Sequence, residues 1–181
     1  MYTPIKITRV KKTNSNLLNL DESAIDFSDT FQAFFCSTGS TLTSIDIAKA
    51  FFLSAPKWVD QLFLVRNKLM GAIGLKVAGS REEMETALDK FTCSQGEQIG
   101  LFKVIAANKN EVILGEDDKH LNFRISLLIE EENEVNRKFS ITTTVKFNNN
   151  FGKIYFYAIK PFHRLIVPVM LKGMIQQLIQ K

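Results

Sequence analysis

Twelve residues, Gly115–Glu–Asp–Asp–Lys–His–Leu–Asn–Phe–Arg–Ile–Ser126, hold the densest set of groups able to do chemistry in this sequence. Read as part of a β-strand over 120–130, the two-residue period sets His120, Asn122, Arg124 and Ser126 on one face. Leu121, Phe123, Ile125 and Leu127 fall on the other. An imidazole exchanges protons near neutral pH, and a guanidinium grips a carboxylate or phosphate through paired bonds. Facing a cavity, His120 and Arg124 would hold an anionic or carbonyl-bearing ligand. Leu128 turns the row apolar beyond Ser126, as in a pocket with a polar mouth. Asp118 precedes His120 on the same face and is the nearest partner for either charge, which matters because an unpaired buried guanidinium is costly. The plainer reading turns the apolar row inward and leaves the polar row to water.

Two further residues carry competing readings. Trp58, the only tryptophan, falls on the apolar stripe of a helix, where core packing is the ordinary role and a place at the cavity mouth the sharper one. His163 precedes the final helix and either orients its start or joins His120. Cys36 and Cys93 have neither metal-ligand spacing nor basic neighbours, so both read as structural thiols. No Gly-rich phosphate loop, nucleophile elbow or zinc pattern is present, and the residues call for no cofactor and no metal.

The elements that must position these groups follow from periodicity. Ile5–Val10 alternates as a strand, residues 13–30 read as an irregular polar segment, and 31–35 fits either a strand or a helical turn. Thr43 or Ser44 caps a helix with Asp46 in its first turn, and that helix ends near Ser54 because Pro56 disfavours a helical Ala55. Pro56 then opens a second helix on which Trp58, Leu62, Val65 and Leu69 recur at helical spacing, with Gly71 and Gly74 ending it. Ser80 and Glu83 fit a capping box for a helical insertion near 80–95. From Leu101 the period becomes two, predicting strands at 101–106, 111–115, 120–130, 137–147 and 152–159. The Asn- and acid-rich turns between them make an antiparallel meander. Pro161 ends the last strand, and a helix over 162–180 buries Val167, Met170, Leu171, Met174, Ile175 and Leu178, with Pro168 near its start or kinking it.

A chain of 181 residues, 45% hydrophobic and 23% charged, fits one domain spanning 1–181 with a substantial core. No run approaches the roughly 20 apolar residues of a membrane span, and the N-terminus lacks the apolar core of a secretory signal. These features point to a cytoplasmic protein without a transmembrane segment, monomeric or a weak homodimer. The net charge of +4 is unevenly placed. Residues 1–12 hold four basic residues and no acid, residues 135–181 hold eight and no acid, and the middle carries all 19 acids. Either the ends pack beside the middle and the charges compensate, or a basic patch meets an anionic ligand or membrane surface. Nucleic acid is the weakest partner, because the basic residues are scattered singly and bring no binding motif.

Three blocks, APKWVDQLFLVRNKLMGAIGLK, LGEDDKHLNFRISLLI and PFHRLIVPVMLKGMI, lie in that order. They resemble the signature blocks of a bacterial domain family of unknown function that looks related to the START-like, or polyketide-cyclase and Bet v-like (SRPBCC), superfamily. The resemblance spans most of residues 55–175 and implies an α+β helix-grip fold: an N-terminal strand, two small helices, an antiparallel meander curved around a long C-terminal helix, and a cavity between sheet and helix. Some relatives resemble a tail domain behind an NAD(P)-binding domain, and none accompanies this sequence. Asn122 stands where the resemblance leads one to expect an acid, which weakens acid–base chemistry there.

Three functional classes follow. The first is a carrier or sensor holding a hydrophobic or amphipathic small molecule, with Trp58, Asp118, His120, Asn122, Arg124 and His163 as the binding set. The second is an enzyme of cyclase, hydrolase or isomerase type using His120 as acid or base with Asp118 or Arg124 in support. The third is an interaction module with a collapsed cavity. The direction in which the 120–126 row faces discriminates among them.

Overall fold

The computed structural model describes residues 5–11, 14–18, 25–36, 41–62, 64, 81–133 and 135–180. Seven strands among these form one sheet in which every pairing is antiparallel. They are β1 (Ile7–Val10), β2 (Phe27–Cys36), β3 (Gln98–Ile99), β4 (Phe102–Ala107), β5 (Glu111–Asp117), β6 (Leu121–Glu131) and β7 (Asn136–Phe147). The spatial order β1-β2-β7-β6-β5-β4-β3 is a five-strand meander whose last strand meets β2. With its C-terminal helix this is an α+β fold compatible with a helix grip.

The helices are α1 (Ser44–Leu53), α2 (Arg81–Asp89) and α3 (Asn150–Ile179), and residues 57–62 are also helical. Thr43 caps α1 in a capping box: its hydroxyl accepts from the Asp46 N–H at 3.3 Å, and the Asp46 carboxylate accepts the Thr43 N–H at 2.9 Å. A helix near the expected 80–95 stretch is present as α2, tied to the 57–62 segment by Arg81, whose guanidinium meets Asp60 at 2.8 Å. Within that segment Val59 is the buried residue and Trp58 is 41% exposed, so Trp58 is not core. The expected continuation of the stripe to Leu69, the ending at Gly71 and Gly74, and the Ser80 cap lie outside the described residues.

The expected strand at 152–159 is a correction. Residues 150–179 form a single 30-residue helix, with Pro161 and Pro168 inside it rather than before it. The run GKIYFYAI alternates and is rich in aromatic and branched side chains, which favour strands on propensity. Asn148–Asn150 reads as a hairpin turn, yet Asn149 is the N-cap, its side-chain oxygen accepting the Gly152 N–H at 2.9 Å. Each proline removes one helical hydrogen bond. The carbonyls so freed belong to Tyr157 and Arg164, both on the exposed side of α3, where water serves them. Burial of Phe156, Val167, Met170, Leu171, Met174 and Ile175 outweighs the cost of about 3 kcal/mol per proline. The segment at 31–35 is strand, within β2, which begins four residues earlier in the stretch expected to be irregular.

α3 packs on β1, β2 and β7, and α1 packs on α3 and β5. Directly paired residues share a face of the sheet, and the register puts Phe31, Ile141, Leu127 and Val112 in one row beneath the helices. Thr30, Thr142 and Ser126 form the neighbouring row on the opposite face.

Candidate functional site

The register decides the orientation of the 120–126 row. Leu121 and Phe123 cluster with Phe156 of α3, and Ile125 and Leu127 join the core that holds Leu171 and Met174. Asn122, Arg124 and Ser126 therefore lie on the sheet face away from α3. Their expected place in a cavity under the final helix is corrected, and so is the polar mouth leading to Leu128. The reason is that α3 presents an apolar stripe, and only the apolar row of β6 can bed it without stranding a guanidinium.

Each of these side chains has a local partner. Arg124 Nη2 reaches the Asp117 carboxylate at 2.8 Å, and Nη1 donates to the Phe123 carbonyl at 2.9 Å. Asp118 thus serves His120, not Arg124: its Oδ2 stands 3.4 Å from His120 Nδ1. Asn122 accepts from Asn148 Nδ2 at 2.7 Å, which braces the entry to α3. Ser126 donates to Glu111 at 2.6 Å, and Ser15 also donates to Glu111, closing the N-terminal segment over this face.

His120 precedes β6 and is buried against the rings of Phe151 and Tyr155 at centroid distances of 5.7 and 5.2 Å. Gly152 makes this approach possible, because a Cβ there would overlap the His120 carbonyl. His163 sits two to three turns further along α3, about 12–18 Å away at 1.5 Å per residue. The structure does not bring the two histidines together. It brings His120 to Asp118, and His163 to a residue absent from the expected set.

That residue is Asp29. Its side chain is fully buried, and its Oδ1 lies 3.2 Å from His163 Nε2. Its Oδ2 lies 4.0 Å from the guanidinium of Arg9, which comes from the edge strand and is half exposed. Thr143 is the direct partner of Asp29 across the β2–β7 ladder. The Thr143 hydroxyl and Asp29 Oδ2 find no hydrogen bond among the described residues. The Phe27 ring stands edge-on to His163 at 6.2 Å. A carboxylate, an imidazole and a spare hydroxyl thus converge where α3 crosses an otherwise apolar face.

The signal for Asp29 is in the sequence. Phe27, Asp29, Phe31, Ala33 and Phe35 alternate at period two, and an acid within such an apolar row marks a buried carboxylate. Reading 13–30 as irregular hid it. Such a cluster can orient a ligand through an oxygen or nitrogen of its own while apolar walls hold the remainder. Elsewhere, an open depression of about 290 Å³ at the start of α3 is lined by Asp26, Phe147, the three asparagines 148–150, Lys153 and Tyr157. Among the described residues no three His, Cys, Asp or Glu side chains gather as metal ligands.

A protein-family model for a protein of unknown function (DUF2867) matches residues 23–170. The chain belongs to that family. No curated protein and no solved structure matches it.

Proposed function

We propose that the chain is a single START-like domain that binds a small hydrophobic or amphipathic molecule between the sheet and α3, with Asp29, Thr143 and His163 as its polar anchor. The observation that carries this reading is the Asp29–Thr143 pair. Burying a carboxylate oxygen and a hydroxyl without hydrogen bonds costs about 1–3 kcal/mol each, and such groups persist in a core where they serve something other than stability. The element order and the helix-covered face support the kinship with the START-like superfamily. Of the expected binding set, His163 stays in the anchor. Asp118 and His120 belong to the far end of α3, Asn122 and Arg124 to the opposite face, and Trp58 to the partly exposed 57–62 segment.

A second reading, an enzyme using the Asp118–His120 pair, has one observation in its favour: the carboxylate orients the imidazole as a general base requires. Enclosure of that ring by Phe151 and Tyr155 favours the binding reading. Native mass spectrometry of the chain purified from its own host tests the proposal. A single small-molecule adduct, released on denaturation, is expected. A clean unliganded mass after gentle purification would refute it.

A further inference from the structure

The helix that closes the sheet is apolar on two sides. Phe156, Val167, Met170 and Met174 face the core. At 100° per residue, Phe151, Ile154, Phe162, Leu165 and Val169 fall on a second stripe on the other side of the helix. That stripe runs about 27 Å along the axis, and most of it is open: Ile154 is 70% exposed and Leu165 63%, while Phe151, whose ring also touches His120, is 44% exposed. Large aliphatic side chains so exposed, and aligned, mark a contact surface rather than ordinary surface scatter.

Charge identifies what the stripe meets. Every exposed residue of α3 from Phe151 to Lys172 is apolar, aromatic or basic, with Lys172 at the edge of the stripe and Arg164 and Lys153 further round the same flank, toward the sheet. No acid occurs anywhere in residues 135–181. We infer that the outer face of α3 docks on an anionic lipid surface, lying in the plane of the headgroups. Aromatic and aliphatic side chains would enter the acyl boundary while lysine and arginine pair with lipid phosphates and carboxylates. Among the described elements α3 packs on β1, β2, β7 and α1, and the stripe that stays exposed can meet a flat surface. No described helix is long and apolar enough to cross a membrane, which fits a helix that lies on one. A second copy on the same stripe is disfavoured, because a two-fold pairing would oppose basic flank to basic flank. This surface is separate from the Asp29 cluster and stands whether or not that cluster binds a ligand.

The test is co-sedimentation of the full chain with phosphatidylcholine vesicles, with and without phosphatidylserine. Wild type should pellet with the serine-containing vesicles only and release at high salt. Ile154→Ser with Leu165→Ser, and separately Arg164→Glu with Lys172→Glu, should each weaken binding by about tenfold. The melting temperature should not change, since all four side chains are exposed. Failure to pellet, equal binding to neutral vesicles, or indifference to both pairs of substitutions would overturn the inference. So would a dimer in light scattering that Ile154→Ser with Leu165→Ser dissolves.

Discussion

Arg124 shows how the face a residue occupies sets its worth. Beneath α3, truncating it would break a buried ion pair at about 3–5 kcal/mol. Where it lies, Arg124 is 28% exposed and its partner Asp117 60%, and such pairs contribute about 0–1 kcal/mol. Arg124→Ala should therefore cost no more than about 1 kcal/mol in urea denaturation, and a loss near 3 kcal/mol would place the guanidinium in the interior after all. The two thiols divide in the same way. Burial pushes the Cys93 thiol up to about 11, against a hydrogen bond with Ser44 that lowers it, while Cys36 is exposed. A disulfide reagent at neutral pH should titrate one thiol in the native protein and the second only after denaturant is added. The structural reading of Cys93 was legible from its lack of basic neighbours. Which face of β6 turns inward was not, because alternation names two rows without saying which one a distant helix will cover.

At the scale of elements, the strands from 101 to 147 were legible to within a residue or two, since polar turns separate clean period-two runs. α1 was legible from its N-cap and the acid in its first turn. The first three turns of α3 were not: propensity favours a strand over 152–159, and tertiary burial overrides it. Two experiments probe that helix. Gly152→Ala should destabilise by about 1–3 kcal/mol in thermal melts, although alanine alone would favour the helix by about 1 kcal/mol, because the added methyl strikes the His120 backbone. A neutral or stabilising effect would mean that α3 does not start against the 118–120 turn. Truncation after Pro161 removes the buried Val167, Met170, Leu171, Met174, Ile175 and Leu178, on the order of 10 kcal/mol of burial. That matches the whole stability of an ordinary domain, so circular dichroism should find the shortened chain unfolded. A cooperative melt of the truncated chain would contradict the packing described.

For the whole molecule, the uneven charge is partly reconciled by the sheet. Lys138 meets Glu130 at 2.9 Å and Glu132 at 3.3 Å across the β6–β7 hairpin, and Arg9 turns toward Asp29. Compensation therefore holds for the N-terminal strand and β7, whereas Lys153, Arg164 and Lys172 of α3 stand exposed. Four of the six residues of the binding set read from the sequence, Asp118, His120, Asn122 and Arg124, lie within seven consecutive positions, because a motif is made of neighbours along the chain. The cluster that the fold assembles draws Asp29, Thr143 and His163 from β2, β7 and α3: Asp29 is over a hundred residues from the other two, the register sets it beside Thr143, and helix packing brings His163 to it.

Thr143→Val removes the spare hydroxyl while keeping the shape of the side chain, and so asks whether the Asp29 cluster holds a ligand. Native mass spectra of wild type and this variant, purified side by side from the same host, would be compared with their melting temperatures. The variant should melt at the same temperature or higher, since an unsatisfied buried hydroxyl is gone, and its small-molecule adduct should be lost or clearly weakened. An adduct retained in full by the folded variant, or absent from wild type as well, would contradict the assignment of this cluster as a ligand anchor.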